Sequence, residues 1–244
     1  MQRLVPDSQP LSPMEMAEAD FREADGRPWV IVNFVTSVDG ATTIDGASTR
    51  LGDDEDQAVF QALRAVPDVI LVGASTVIVE DYRPVTLDAE RRRWREERGM
   101  SPVPKLAIVS GTMSLDVEQR VFSDSEFKTL VITGPNANPG RLALLGDAAD
   151  VAILLEMTPP AILERLAPAK VVLLEGGPTL TGQFALAGLV DELNLTVSPA
   201  LVGGDSNRLV GHANLKPPLG MRLDRVVAGE EMLFLRYLRA EADR

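Results

Sequence analysis

Cysteine is absent from all 244 residues, and histidine occurs once, as His212. No disulfide framework, cysteine-based zinc site or cysteine nucleophile can be built, and no metal site is expected. A serine–histidine–acid triad would have to use His212. That residue stands among loop signals in Val210-Gly211-His212-Ala213-Asn214, away from any nucleophile elbow. A solvated or backbone-bonded loop histidine is the plainer reading. Long apolar runs are missing too: nothing approaches the roughly 18 residues of a membrane span. The segment Met1 to Pro13 has one Arg, one Asp and three Pro but no apolar signal core, so a cytoplasmic location is expected. Positive charge is in deficit. With 24 Lys and Arg against 36 Asp and Glu, the formal net charge is −12. A nucleic-acid partner needs a basic face and is not expected, although a local arginine cluster could still hold a phosphate.

What the chain has is ample core material. Hydrophobic residues make up 45% and charged residues 25%, the balance of a globular α/β domain. Residues 1–27 read as an N-terminal extension, with a short helix over Met14–Phe21 and Ser12 before Pro13 as its cap. A single domain over 28–244 follows. Its nearly continuous apolar runs predict strands buried on both faces: Trp29–Val35, Val69–Gly73, Leu106–Ser110, Thr129–Thr133, Val151–Leu154 and Val171–Glu175. Helical stretches lie between several of them, at Asp54–Ala65, Pro139–Gly146, Pro159–Leu166 and Leu180–Ala187. This alternation predicts an α/β fold on a largely parallel sheet flanked by helices. Glu192–Val197 alternates at period two and Glu231–Tyr237 has no helix after it, so an antiparallel C-terminal edge on a mixed sheet is expected. The charge-dense Asp88–Gly99 reads as a solvated helix laced with salt bridges.

Four strand ends carry Gly with Ser or Thr nearby: Val72-Gly73-Ala74-Ser75-Thr76, Val109-Ser110-Gly111-Thr112, Ile132-Thr133-Gly134 and Glu175-Gly176-Gly177-Pro178-Thr179-Leu180. Strand C-terminal ends are where α/β sheets bind ligands. In the last of these, two glycines allow close backbone approach and a helix start favours an anion such as a pyrophosphate. An ordinary tight turn is the alternative. None of the four is the G-x-G-x-x-G dinucleotide fingerprint, so a bound dinucleotide would use a different scaffold. Asp39, in Ser37-Val38-Asp39-Gly40, is either a catalytic acid or a turn organiser. Asp56 falls on the apolar side of its helix with Phe60, Leu63 and Arg64, and is either an inward-facing acid or a helix-capping one.

Ser37-Val38-Asp39-Gly40 resembles the S-L-D-G motif of the riboflavin-biosynthesis reductase domain family. Val72-Gly73 to Thr76 with Glu80-Asp81 is similar to its V-G-x-x-T-V-x-x-D-D segment, and Glu175-Gly176-Gly177-Pro178-Thr179-Leu180 to its E-G-G-x-x-L segment. Leu189-Val190-Asp191-Glu192-Leu193 through Ser198-Pro199-Ala200-Leu201-Val202-Gly203-Gly204 resembles its L-V-D-E-L…P-x-L-x-G-G stretch. The order and spacing agree over about residues 28–240. The resemblance implies a dihydrofolate-reductase-like fold, NADPH as cofactor, a homodimer, and reduction of a ribosylaminopyrimidine phosphate to its ribitylamino form.

By motif position, Val35, Gly73, Thr76 and Glu80 would lie along NADPH. Gly176, Gly177, Pro178, Thr179 and Leu180, on to Gln183, would cradle its pyrophosphate, and Ser110 would reach its 2′-phosphate. Asn33, Ser48, Arg64 and Glu175 would contact substrate, with Glu175, Asp56 and Asp39 as the candidate catalytic acids. Two departures bear on the substrate. Asn33 stands where many bacterial members have Lys, and Leu87 stands where members carry an arginine that helps hold the substrate phosphate; Arg83 or Arg91–Arg93 would have to substitute. Reduction of a pterin such as dihydrofolate is the competing reading. The zinc deaminase chemistry of bifunctional members requires cysteines, which this chain lacks.

Overall fold

A computed structural model describes residues 1–19, 22–123 and 126–240. In chain order the strands are β1 (Gln2–Val5), β2 (Gln9–Pro10), β3 (Trp29–Ser37), β4 (Val69–Gly73), β5 (Lys105–Val109), β6 (Thr129–Thr133), β7 (Ala149–Ile153), β8 (Val171–Leu174), β9 (Glu192–Ser198), β10 (Met221–Ala228) and β11 (Leu233–Arg239). The helices are α1 (Pro13–Ala17), α2 (Asp54–Arg64), α3 (Ala74–Val79), α4 (Ala89–Glu96), α5 (Pro139–Leu145), α6 (Pro159–Arg165) and α7 (Pro178–Leu186). All the strands join one sheet in the order β2-β1-β10-β11-β9-β3-β8-β4-β5-β6-β7. Every pairing from β9 to β7 is parallel, and those among β9, β11, β10, β1 and β2 are antiparallel. The expected mixed, largely parallel sheet with its antiparallel side is present.

The apolar runs follow from burial on both faces. Successive strand residues point to opposite sides, and each central strand feeds two cores. Ile31, Ile70, Val72, Ile108 and Leu173 enter the core under α1 and α2. Val30, Val32, Leu71, Val172 and Leu174 enter the core under α6 and α7. Full burial of one such side chain contributes about 2 kcal/mol.

The helix starts obey the capping logic. Ser12 and Glu15 form a reciprocal capping box at α1, and Asp53 accepts the Asp56 N–H at 2.8 Å at the start of α2. The first helix is shorter than its sequence pattern, ending at Ala17; Asp20 and Phe21 lie outside the described residues. Residues 1–27 are laid onto the sheet. Strand β1 pairs with β10, and Met16 and Ala17 are buried in the core. Arg22 pairs with Glu192 at 2.8 Å and Arg27 with Asp191 at 2.6 Å. Helix α4 departs from a purely solvated one. Its Arg95 is 1% exposed and donates to the carbonyls of Ala65, Pro67 and Ser101 at 2.7–2.8 Å. Burial lowers its pKa to about 10, which leaves it charged at neutral pH, where it fixes the C-terminal end of α2.

Candidate active site

A cavity of about 840 Å³ opens at the C-terminal ends of β3, β4 and β8, where parallel sheets present their ligand sites. One wall is backbone. Glu175 ends β8, Gly176 turns at φ +94°, and the Gly176–Gly177 peptide is cis. Gly177 is the N-cap of α7 and no side chain caps it, so the positive end of the helix faces the cavity through Gly176, Gly177 and Pro178. The turn is braced from behind. The Gly73 N–H donates to the Gly176 carbonyl at 2.8 Å. A β-carbon on Gly177 would lie 2.8 Å from the Thr76 Oγ1, so glycine is required for Thr76 and the turn to sit together.

The opposite wall is a cluster of side chains. Arg64, at the end of α2, donates to both Glu175 oxygens at 2.8 and 2.7 Å and to the Tyr82 hydroxyl at 2.6 Å. Tyr82 also donates a short hydrogen bond to Glu175. The guanidinium lies 4.2 Å from the centroid of the Phe60 ring, a cation–π distance. The Glu175 side chain is 4% exposed. Burial and the neighbouring Glu175 charge raise the Tyr82 phenol well above its ordinary pKa, so it stays protonated. Burial opposes the Arg64 charge, but Glu175 overrides it and raises its pKa. Glu175 is therefore an oriented carboxylate held by two donors.

Of the remaining expected residues, Asn33, Val35, Ser48, Asp56, Thr76 and Glu80 also line the cavity. Ser48 and Glu80, expected on substrate and cofactor respectively, bind each other: the Ser48 N–H and hydroxyl both donate to Glu80 at 3.0 Å. Asp56 faces Thr196 on β9; burial raises its pKa, with the Thr196 hydroxyl acting against the shift and Asp53 adding to it.

Five expected residues do not line the cavity. Gly73 is the brace just described. Leu180 is buried in the α7 core, and Thr179 is exposed in the first turn of α7. Ser110 is 3% exposed, and its hydroxyl accepts the Ser114 N–H at 3.2 Å. Asp39 accepts from Ser37 and from the Val202 and Gly203 N–H groups at 3.2 and 2.7 Å. Those bonds, the Ser37 hydroxyl foremost, bring its pKa down to about 2. Asp39 ties two sequence motifs together at a turn and has no contact with the cavity. His212 is exposed in its loop, as expected.

Tyr82 and Thr196 were missed by sequence reasoning. Tyr82 carried a weak signal, an aromatic directly after Glu80-Asp81; Thr196 carried none beyond its place in an alternating strand. Leu87, at the position of the family's arginine, is 7% exposed in a small apolar cluster with Ala65 and Val103. The cavity is lined by the carboxylates of Asp53, Asp54, Asp56, Glu80, Asp81 and Glu175 but by only two cations, Arg64 and Arg83. Arg64 is taken by Glu175. Arg83 is exposed and, among the described residues, carries no ion pair.

A cavity of this size at the ends of parallel strands, with an uncapped helix start on one wall and an ordered acid on the other, defines an α/β reductase of dihydrofolate-reductase-like fold. The model of the RibD C-terminal domain matches residues 28–234, and the chain belongs to that family of riboflavin-biosynthesis reductases. It is 30% identical over 210 residues to the 2,5-diamino-6-ribosylamino-4(3H)-pyrimidinone 5′-phosphate reductase of Archaeoglobus fulgidus, covering 83% of this chain and 95% of that one. The reductase of the same name from Methanothermobacter thermautotrophicus is 29% identical, with 86% and 98% covered. Among solved structures, a pyrimidine reductase-like protein from Corynebacterium diphtheriae superposes with a TM-score of 0.84 at 26% identity, covering 95% of this chain and all of that one. The chain is an oxidoreductase acting on a small molecule, and the family is consistent with a nicotinamide cofactor.

Proposed function

We propose that the chain reduces a ribosylaminopyrimidine phosphate to its ribitylamino form in riboflavin biosynthesis, with NADPH as the reductant. The observation that carries this reading is the pairing of the two walls: the Gly176–Gly177 turn at the start of α7 faces the Arg64–Glu175–Tyr82 cluster across one cavity. The residues fit a dinucleotide. The uncapped α7 start and the Thr76 hydroxyl offer donors to its phosphates, and Val35 offers an apolar face to its ring. When bound, the dihydronicotinamide supplies a hydride. The protein must then bind the open-chain sugar carbon within reach, orient it, and let a proton arrive at the atom that gains it. Glu175, fixed by Arg64 and Tyr82, is placed to order the proton-donating group or water. Arg83, a free cation at the rim, is the group available to the substrate phosphate. Homodimerisation and a cytoplasmic location belong to the same proposal and rest on the family resemblance.

The half-buried Asp56 also suits a pterin ring, the second reading. Loss of NADPH absorbance on adding each candidate substrate separates the two. Turnover with the ribosylaminopyrimidine phosphate, and at least about tenfold tighter binding of NADPH than of NADH, is expected; a tenfold difference is about 1.4 kcal/mol, the scale of one charge-assisted hydrogen bond. Turnover with dihydrofolate alone would overturn the first reading. Equal binding of NADH would overturn the choice of NADPH.

A further inference from the structure

Asp56 is not used by the chemistry above. Its carboxylate lines the cavity from the first turn of α2, passing over Gly52, whose missing side chain leaves room: a β-carbon there would lie 2.5 Å from Asp56 Oδ2. Thr196 behind it is 4% exposed and pairs with Val35 across the sheet. Among the described residues no arginine, lysine or histidine pairs with Asp56, and its nearest charge is another acid, Asp53. A carboxylate has about four acceptor positions. A single hydroxyl leaves most of them open, and an unsatisfied acceptor removed from water is costly. The missing donors must come from what enters the cavity.

We propose that Asp56 reads the 2-amino-4-oxopyrimidine edge of the substrate and is the residue that selects a ring carrying an exocyclic 2-amino group over a 2,4-dioxo ring. This rests on the reductase reading above. A 2-amino-4-oxo ring presents its N3–H and one amino N–H side by side, a donor–donor edge that a carboxylate accepts as a two-pronged pair. A 2,4-dioxo ring presents N3–H beside a carbonyl. One carboxylate oxygen would then face another acceptor, and that pairing is repulsive. Discrimination is strong when a polar site is left mispaired by the wrong ligand.

The test measures kcat/KM of the full chain with NADPH on 2,5-diamino-6-ribosylamino-4(3H)-pyrimidinone 5′-phosphate and on its 2-oxo counterpart, 5-amino-6-ribosylaminouracil 5′-phosphate. The wild type should favour the amino ring by about 100-fold or more. Asp56→Asn replaces two acceptors by one acceptor and one donor, which matches the dioxo edge. Its preference should fall to near unity or invert, with the loss on the amino ring carried mainly in KM. NADPH affinity by fluorescence titration and the far-ultraviolet circular dichroism should be unchanged. A wild type that handles both rings alike, or a variant whose two rates fall in parallel, overturns the role of Asp56 and leaves the reductase reading standing. A wild type that turns over neither ring overturns both. The wild-type ratio decides the matter even if the variant fails to fold.

Discussion

Arg64 is the cation on which the site turns. It reaches Glu175 and Tyr82 together, and its own position is set one residue on, where Arg95 grips the Ala65 carbonyl. Glu175→Gln keeps the shape of the side chain and removes its charge, leaving Arg64 buried against a neutral amide. Turnover should fall by about 100-fold, the usual scale for losing a positioned acid or base. NADPH binding should stay nearly intact, because the turn that would hold its phosphates is backbone. Stopped-flow absorbance together with a fluorescence titration checks both; full turnover would reduce Glu175 to a brace for Arg64. Glu175 and Arg64 were legible in the sequence because each sits in a motif. Tyr82 was not, since a phenol gains its role only where the chain folds it onto a carboxylate 93 positions away.

The Gly176–Gly177 turn and α7 work as one element. Gly177→Val would drive a side chain onto the Thr76 hydroxyl, 2.8 Å from the β-carbon alone, with Ser75 Oγ 3.6 Å away. The turn must shift, and with it the N–H groups at the start of α7. Displacements of about 1 Å in a positioned site cost on the order of 100-fold, so NADPH affinity should drop by about that factor while the circular dichroism is retained. Normal affinity in the folded variant would make the loop only a turn. The central strands were legible for a physical reason: with a core on either face, almost every residue in β4 and β8 had to be apolar. Strand β10 was not, because Arg222, Asp224 and Arg225 interrupt its apolar positions. Helix α3 was hidden as well. Its Ser-Thr-Val-Ile-Val run is β-branched and helix-poor, and its position between β4 and the cavity overrides that preference.

Across the whole molecule, the ends of the chain meet on one acidic pair. Glu192 is fully buried and bound by Arg22 at 2.8 Å and Arg236 at 3.0 Å. Asp191 takes Arg27 at 2.6 Å and lies 3.6 Å from Arg239. Burial would raise the pKa of Glu192, but the two arginines override it and hold it well below its ordinary value of 4.5. A carboxyl depressed in the folded state contributes stability that is present above its unfolded pKa and lost as pH falls through the folded one. The melting temperature should therefore hold at neutral pH and decline below about 4.5, and Asp39 adds to that decline as its pKa of about 2 is approached. Glu192→Gln should flatten the acid limb and lower the melting temperature at pH 7 by about 10 °C, the scale of breaking a buried pair in a domain of this size. A thermal melt series from pH 3 to about 8 checks this, and an unchanged acid limb in the variant would assign the loss elsewhere. The same pair sets a timetable for synthesis. Strand β11 is not at the rim of the sheet but between β9 and β10, and Arg236 lies within it. A chain emerging from the ribosome holds Glu192 with only one of its two arginines, and the β9 flank stays open until β11 has cleared the exit tunnel. The domain can close only at the end of translation, so a ribosome that stalls in the last strand releases a sheet with an unpaired flank, the form most exposed to aggregation and proteolysis.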